Sequence, residues 1–426
     1  MPGASAAFGI LMAARANPVP RGSALTYLTT ADHDELRAMV RELAEERIAP
    51  RAAQIDADAE FPWDLKQLLA EQDLLGTCFE ERHGGTALDS IAQSIVVEEV
   101  ARADATTSLI PIVQKLAALP ILLAGTDEQK GRYLPRLASG EWLAAFALTE
   151  AAAGSDVSAN RMRAVRDGDD YLLNGSKRFI THGSVANLVT VFALTDPAVE
   201  GRKGMSAFIV ETDTPGFAAP RVEHKMGIRG SPTAELVFDD VRVPKANRLG
   251  SEGDGFRIAM NTLDRSRLGI AAQAVGIAQG AIDASVSYAA DRRQFGQRVV
   301  DFQGVQWMLA DMATRTEAAR QLTYAAAARV DAGVSDLPYW TSSAKLVAGD
   351  AAMSVTTDAV QVLGGYGYIT EYPVERMMRD AKITQLYEGT QQIQRLIVAR
   401  QLLARAGVAE RPQDTGLREE RTAQRA

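Results

Sequence analysis

A carboxylate directly before a glycine, Glu388 followed by Gly389, is the pattern in this 426-residue sequence that is best suited to acid–base chemistry. The pair follows the apolar residues Leu386 and Tyr387, between two segments of helical periodicity. Glycine lets a substrate approach the backbone, and a carboxylate shielded from water has a raised pKa that suits a general base. Because Glu before Gly is also common at helix ends, the pattern taken alone fits an ordinary helix terminus as well.

Charged residues at two other places could meet an anionic ligand. Asp264 and Arg267 are i, i+3 neighbours near the start of a long helical stretch and can pair, either on the surface or as a buried arginine that faces a CoA moiety or a carboxylate. Arg292 and Arg293 lie in a basic turn between two helical stretches. Arginines placed in this way could bind a pyrophosphate, and a solvated helix end is the alternative.

Small and aromatic residues mark three further segments. The loop 146–156 is rich in small residues, so its backbone N–H groups could approach a polar ligand, although a plain linker has the same composition. Phe179 and Thr181 follow an Asn-Gly turn two residues apart on one face of a predicted strand, where they could contact a flat ring or belong to an ordinary core strand. Three glycines within 361–368 end a helix and open a backbone-lined surface. No dinucleotide fingerprint and no P-loop is present.

Composition excludes several classes of function. The net charge of −8 argues against binding to nucleic acid or to an anionic membrane. The one cysteine, Cys78, cannot form an intrachain disulfide, and the four histidines lack the spacing of metal ligands, so no metal site is predicted. No run reaches the roughly 18 apolar residues of a membrane helix.

The periodicity of the chain predicts the elements that position these residues. Helical spacing dominates residues 30–145, short β-like runs with tight turns fill 146–250, and long helical stretches fill 251–405, the last of them running from Arg376 to Leu403. We therefore expect a helical domain, a middle β-domain and a helical bundle. Residues 1–29 and 406–426 are predicted to be a disordered extension and a disordered tail. A mitochondrial transit peptide is the alternative for the first segment, because it contains no acidic residue.

In this order the segments resemble the acyl-CoA dehydrogenase family, over about residues 30 to 405. The resemblance implies a mainly α fold with a central β-domain: an N-terminal helical domain, a middle antiparallel β-barrel or sandwich, and a C-terminal four-helix bundle. It also implies FAD as cofactor, an acyl-CoA thioester as substrate, α,β-dehydrogenation, and electron-transferring flavoprotein as the electron acceptor. A homotetramer, or at least a dimer that completes the FAD site, is implied in the same way.

The resemblance carries roles to individual positions. Glu388 falls on the position of the catalytic base. Substrate contacts are expected from Ser155, Asp264, Arg267 and Gly389. FAD contacts are expected, some of them across a subunit interface, from Phe146, Leu148, Thr149, Gly154, Ser155, Phe179, Ile180, Thr181, Arg292, Gln294, Phe295, Gln303, Gln361, Val362, Gly364, Gly365, Thr390 and Gln392.

The sequence departs from the family pattern at two places. Ala151 and Ala152 stand where Pro-Gly is usual, and Phe179 stands where Trp is usual, which keeps an aromatic face but removes an indole N–H. In isovaleryl- and long-chain-type members the base occupies the position of Ser266, which cannot serve as one. Of the two family positions for a base, only Glu388 therefore carries a carboxylate.

Other functions on the same fold stay open at this point. They are an acyl-CoA oxidase, a glutaryl-type decarboxylating dehydrogenase and an enzyme for carrier-protein thioesters. A flavin-bearing nucleic-acid-binding protein fits the acidic composition less well. A non-catalytic scaffold fits the intact Glu388-Gly389-Thr390 motif less well. By family position, Ser108, Ile112 and Val113 lie at the floor of the acyl pocket, and branched residues there favour a short or branched acyl chain. A bacterial cytoplasmic location is expected, or the mitochondrial matrix if residues 1–29 are a transit peptide.

Overall fold

The computed structural model describes residues 29–196 and 204–408. The predicted disordered extension and tail therefore lie almost entirely outside the described residues. Within them the chain forms helices, then a sheet, then helices again. This order confirms the predicted three-domain fold class.

Capping residues and apolar stripes explain the N-terminal helices. Thr30 and His33 form a capping box at the first helix, whose Leu36 and Val40 are buried, while Asp89 and Asp104 cap the two central helices. The bounds are α1 Ala31–Leu43, α2 Ala52–Asp58, α3 Trp63–Glu71, α4 Ser90–Ala103, α5 Ala105–Ala124 and α6 Asp127–Ala138.

Helix α5 is the one helix among the described residues that is long and apolar enough to cross a membrane by length and composition. Its apolar residues are interrupted by Gln114 and Lys115, so the helix contains no unbroken apolar run of about 18 residues. Of its most apolar window, 72% is buried inside the protein, as is usual for the core helix of a soluble domain.

The middle region forms one mixed sheet. Its strands follow the order β6-β7-β3-β2-β4-β5-β8, with β1 paired to β4. The prediction of a wholly antiparallel arrangement was wrong for two pairs, β1 with β4 and β2 with β4, which are parallel. Each of these pairs is joined by a connection that contains at least one other strand, and such a crossover, unlike a hairpin, brings strands together in the same direction. The bounds are β1 Ala144–Ala147, β2 Arg163–Asp167, β3 Asp170–Thr181, β4 Leu188–Leu194, β5 Met205–Glu211, β6 Phe217–Val222, β7 Thr233–Pro244 and β8 Arg248–Leu249.

Long helices rich in small residues form the C-terminal bundle. Close packing depends on them: a Cβ added to Gly276 would lie 2.2 Å from the carbonyl oxygen of Glu98 on α4. The bounds are α7 Gly255–Asp291, a small hairpin of β9 Arg293–Gln294 and β10 Gln297–Arg298, α8 Gln303–Asp331, α9 Leu337–Leu363, α10 Val374–Ile383 and α11 Gln391–Arg405.

Helix α10 ends at Ile383 and α11 begins at Gln391, so the helical stretch predicted from Arg376 to Leu403 is interrupted, and Glu388 lies between two helices as the pattern around it indicated. Glu388 has φ +49° and Gly389 has φ +94°, and this left-handed backbone cannot continue a right-handed helix. The base loop, defined here as residues 384–390, therefore carries Glu388 between two helices.

Candidate active site

Glu388 is held in a conformation that L-residues rarely adopt. A left-handed φ at a glutamate is a local strain that persists only where the surrounding structure enforces it, and such residues cluster at functional sites. Among the described residues, the Glu388 N–H has no hydrogen-bond acceptor in reach. The base loop therefore presents a half-buried carboxylate and a free backbone donor on the same residue.

The carboxylate of Glu388 lies against helix α7. The buried Ser266 hydroxyl donates a hydrogen bond to Oε2 at 2.5 Å. Burial raises the pKa of Glu388, while the Ser266 hydrogen bond and the positive charges of Arg267, Lys345 and Lys115 limit that rise. A carboxylate with a raised pKa is a stronger base than an ordinary one and can accept a proton near neutral pH.

Asp264 and Arg267 form an ion pair within α7 whose side chains are largely shielded from solvent. Of the two alternatives considered from the sequence, the structure therefore contains the buried arginine and not the surface pair. The Arg267 guanidinium donates to Asp264 Oδ1, and the Arg267 side chain is only 4% exposed. Burial raises the pKa of Asp264, and the charge of Arg267 opposes the rise. Arg267 Nε is buried without a hydrogen-bond partner in the described part of the chain, so it is a donor that a polar ligand could satisfy.

A polar chain continues from the base loop into the core. The Tyr387 hydroxyl donates to Gln273 Oε1 on α7. The Gln273 amide donates in turn to Ser108 Oγ and to the Ala105 carbonyl on α5, both at 3.0 Å. Gln273 and Ser108 are fully buried. This chain, which the sequence alone did not identify, joins the base loop to the helix predicted to form the pocket floor.

Lys177 fastens the small-residue loop to strand β3. Its ammonium is fully buried and donates to the Leu148 carbonyl at 3.1 Å and to Glu150 Oε1 at 2.8 Å, and it also reaches Asn160. Burial lowers the pKa of Lys177 to about 8, and the Glu150 carboxylate opposes this effect. The Arg178 N–H adds a hydrogen bond to the Thr149 carbonyl at 2.9 Å. The two segments predicted to contact a flat ring are therefore joined directly.

Phe179 sits at a bulge in strand β3. The register with β7 shifts between Lys177 and Ile180, and Phe179 has φ +57°. Its ring is 62% exposed, whereas Ile180 is buried and Thr181 is partly buried opposite Thr233. A large apolar ring left exposed by a strained backbone is a surface that a flat ligand could cover.

A second group of predicted residues lines a groove at the end of α9. The groove has a volume of about 490 Å³. Arg292 lies 5.3 Å from the centre of the Tyr366 ring, and no atom lies within 4 Å of a Cβ added to Gly364 or Gly365. Its lining residues are Tyr288, Arg292, Gln294, Val299, Val362, Leu363, Gly364, Gly365, Tyr366 and Ile369.

Some of the predicted FAD contacts belong neither to the contact between the small-residue loop and β3 nor to the groove at the end of α9. Phe295 is 95% exposed at the tip of the β9–β10 hairpin, against Phe302. The Thr390 hydroxyl accepts a hydrogen bond from Ile393 N and caps α11. Phe146 packs against Phe192. The other predicted FAD contacts of this set lie at exposed positions: Gly154, Ser155, Gln303, Gln361 and Gln392.

Lys345 on α9 is a further residue of the site that sequence reasoning missed. It is fully buried, and its ammonium donates to the Gly389 carbonyl at 2.7 Å. The available signal was a single lysine in a stretch of small and apolar residues, Ser343-Ala344-Lys345-Leu346-Val347-Ala348.

Comparison with known proteins places all three regions in one family. The models of the acyl-CoA dehydrogenase N-terminal, middle and C-terminal domains match residues 30–141, 145–241 and 253–403. The chain is 48% identical over 373 residues to the short-chain specific acyl-CoA dehydrogenase of Clostridium acetobutylicum, which covers 87% of this chain and 97% of that protein.

Solved structures show the same similarity. Butyryl-CoA dehydrogenase from Megasphaera elsdenii aligns with a TM-score of 0.86 at 43% identity, over 89% of this chain and 100% of that chain. A chain in a structure of the electron transferring flavoprotein of Acidaminococcus fermentans aligns with a TM-score of 0.87 at 47% identity, with the same coverage of both chains.

Proposed function

This chain belongs to the acyl-CoA dehydrogenase family of flavoprotein oxidoreductases, and we propose that it converts an acyl-CoA thioester to the trans-2-enoyl-CoA with Glu388 as the catalytic base. The observation that carries the proposal is the geometry at Glu388. A half-buried carboxylate with a raised pKa and a free N–H on the same residue face a buried Asp–Arg pair. Proton abstraction next to a carbonyl requires both a base and a donor for the developing negative charge.

FAD is the cofactor that we propose, and the residues present fit it. The exposed Phe179 ring, with Thr181 two residues further on, offers a flat apolar face beside a hydroxyl. The groove at the end of α9 combines the Arg292 guanidinium with open backbone at Gly364 and Gly365, which suits a pyrophosphate. Neither Glu388 nor Ser266, Asp264 or Arg267 lines this groove. This separation supports the proposal that the groove serves the cofactor of a second copy of the chain.

The residues of this chain act on the proton and on the carbonyl. Glu388 removes the α-proton, and its own N–H donates a hydrogen bond to the thioester oxygen, where negative charge develops. One preorganised donor of this kind contributes roughly 3–4 kcal/mol to transition-state stabilisation in enzymes where it has been measured. Ser266 donates a hydrogen bond to the carboxylate, and the positive charge of Arg267 lies close to it. FAD, when bound, supplies the acceptor for the β-hydride.

A short or branched acyl chain is the proposed substrate. The buried Tyr387–Gln273–Ser108 chain crosses from the base loop to α5, so a long acyl chain between α5 and α7 would have to displace hydrogen-bonded groups. A buried polar group left without its partner costs about 1–3 kcal/mol, which disfavours that displacement. The similarity to the short-chain enzyme of C. acetobutylicum supports the same conclusion.

Electron-transferring flavoprotein is the proposed electron acceptor, a homotetramer the proposed assembly, and the bacterial cytoplasm the proposed location. The similarity to a chain in the A. fermentans flavoprotein structure supports the first of these proposals. Two exposed aromatic side chains, Phe295 and Tyr368, are chain neighbours of residues that line the groove, and they support burial of this face between subunits.

Anaerobic titration of the purified holoprotein with acyl-CoAs tests the proposal. Butyryl-, isobutyryl-, octanoyl- and palmitoyl-CoA are added in turn, and the loss of flavin absorbance is followed. We expect rapid bleaching by the C4 substrates. A yellow protein that no acyl-CoA bleaches would contradict the proposed substrate class. Bleaching of that protein by an acyl carrier-protein thioester would then identify the carrier-bound thioester as the substrate. Oxygen consumption without an added acceptor would identify an oxidase.

A further inference from the structure

Lys345 is a buried cation whose hydrogen bonds reach the base loop. The side chain has no solvent exposure, and Nζ lies 2.7 Å from the Gly389 carbonyl oxygen and 3.3 Å from Gln391 Oε1. A buried ammonium is expensive to desolvate and is normally retained only where acceptors compensate it. Both acceptors belong to the base loop or to the residue that follows it, so the lysine is directed at this segment.

The Gly389 carbonyl receives hydrogen bonds from two helices. Lys345 donates from α9, and Gln394 Nε2 donates from α11 at 2.9 Å while also reaching the Glu388 carbonyl at 3.1 Å. Gln391 adds a link back to α9 through the Leu346 carbonyl at 2.7 Å. The two peptide carbonyls that follow the strained φ of Glu388 are thus both fixed.

We propose that Lys345 is a positioning residue for the catalytic base: its ammonium anchors the Gly389 carbonyl and so holds Glu388 in the left-handed conformation that presents its N–H and carboxylate. The proposal rests on the proposed role of Glu388. It assigns Lys345 no contact with substrate or cofactor. A shift of about 1 Å in a reacting group can cost about 100-fold in rate, so a loop anchor of this kind has a measurable effect.

The charge of Lys345 gives the proposal a second signature. The groups that face it and Glu388 are Tyr387 on the base loop, Asp264 and Arg267 on α7, Asp350 on α9 and Lys115 on α5. Lys345 is among the cations that lower the pKa of Glu388. Its removal raises the pKa of Glu388 further, so the acid limb of the rate profile moves to higher pH, a change that a purely structural residue would not cause.

The experiment compares the FAD-loaded wild-type protein with Lys345→Met, which removes donor and charge at similar volume, and with Lys345→Gln, which keeps a donor. Lys245→Met is the matched control, because Lys245 is exposed and lies between strands β7 and β8, outside the base loop. Anaerobic flavin reduction by butyryl-CoA is measured from pH 5.5 to 9. Hydrogen–deuterium exchange is measured on peptides that span residues 384–391.

For Lys345→Met we expect the saturating reduction rate to fall about 100-fold with KM little changed. The acid limb should move to higher pH, and exchange in the base loop should accelerate. Lys345→Gln should recover part of the rate, and Lys245→Met should match the wild type. Wild-type rates, pH profile and loop exchange in both Lys345 variants would overturn the proposal. Loss of bound FAD and of the folded state in both would also overturn it, since Lys345 would then be structural.

Two of these readouts separate the inference from the proposed function. Failure of wild-type protein to be bleached by any acyl-CoA would count against the proposed function alone. Loop exchange does not depend on turnover, so faster exchange in Lys345→Met would still support the anchoring role, and unchanged exchange would still reject it.

Discussion

The Ser266 hydroxyl donates a hydrogen bond to Glu388 Oε2 at 2.5 Å, although 122 positions separate the two residues. Ser266 occupies the position at which the resemblance places the base of isovaleryl- and long-chain-type family members. The two positions to which the resemblance assigns a base therefore lie side by side on α7 and the base loop. In this chain one of them supplies the carboxylate and the other supplies a donor to it.

Ser266→Ala should shift the pH dependence of the reaction. The Ser266 hydrogen bond lowers the pKa of Glu388, so its loss raises that pKa and leaves less of the base ionised at a given pH. We expect the acid limb of anaerobic flavin reduction to move to higher pH and the rate on that limb to fall about 10-fold, since a hydrogen bond to a charged group contributes about 1.5 kcal/mol or more.

The control for this change is Ser285→Ala. Ser285 is another buried serine of α7, but its hydroxyl bonds the Ala281 carbonyl within the helix. Its pH profile should match that of the wild type. An unchanged acid limb in Ser266→Ala would separate Ser266 from the ionisation of Glu388.

Glu388→Gln should abolish the chemical step and leave binding intact. The amide keeps the size of the side chain but cannot accept the α-proton. We expect FAD content and acyl-CoA affinity to be retained, while anaerobic flavin reduction falls by at least about 100-fold. The exposed Glu371→Gln is the control. Near-normal reduction in Glu388→Gln would remove Glu388 from its proposed role.

Residue type and order were sufficient to predict the fold class and to single out Glu388. The sequence could not show how Glu388 is presented, because its left-handed backbone depends on anchors from α9 and α11 that are remote in the chain. The bulge at Phe179 was equally hidden, since strand periodicity alone predicts regular alternation. Lys345 and Lys177 were missed because lysine is ordinarily a surface residue, and only tertiary packing makes these two fully buried.

Gln273→Ala should broaden the range of acyl chains. The substitution removes the link between Tyr387 and Ser108, so a longer chain no longer has to displace a hydrogen-bonded amide. We expect the octanoyl-to-butyryl ratio of kcat/KM to rise about 10-fold. Gln279→Ala is the control on the same helix, because Gln279 bonds Asp283 and Arg320 instead. An unchanged ratio would place the end of the acyl pocket elsewhere.

Lys177→Met should weaken cofactor binding. Without the ammonium, the Leu148 carbonyl and the Glu150 carboxylate lose their shared donor, and only the hydrogen bond from Arg178 N–H to the Thr149 carbonyl still joins the loop to β3. Breaking a buried ion pair on one side costs about 3–5 kcal/mol, so the thermal-unfolding midpoint should fall as well. FAD content and Tm are the measurements, with the exposed Lys245→Met as control. If Lys177→Met retains both the FAD content and the Tm of the wild type, the loop keeps its position on β3 without Lys177.

Asp380→Asn should stabilise the protein at alkaline pH and have little effect at acidic pH. Asp380 lies on α10 and accepts a hydrogen bond from Ile228 N of the β-domain. Burial raises the pKa of Asp380 to about 7, with Asp104 and Asp56 adding to the rise. Between the unfolded value of 3.8 and about 7, the folded protein therefore binds more protons than the unfolded chain. The stability that protonated Asp380 contributes is lost as the pH rises through this window.

Asparagine keeps the acceptor for Ile228 N and cannot ionise, so the variant escapes this loss. We expect Tm to exceed that of the wild type by several degrees more at pH 8 than at pH 5, a difference between the two pH values equivalent to roughly 3 kcal/mol. Asp311→Asn, at an exposed position of α8, should give the same small difference at both pH values. A gain of equal size at pH 5 and pH 8 would show that the effect of Asp380→Asn does not come from ionisation of this carboxyl.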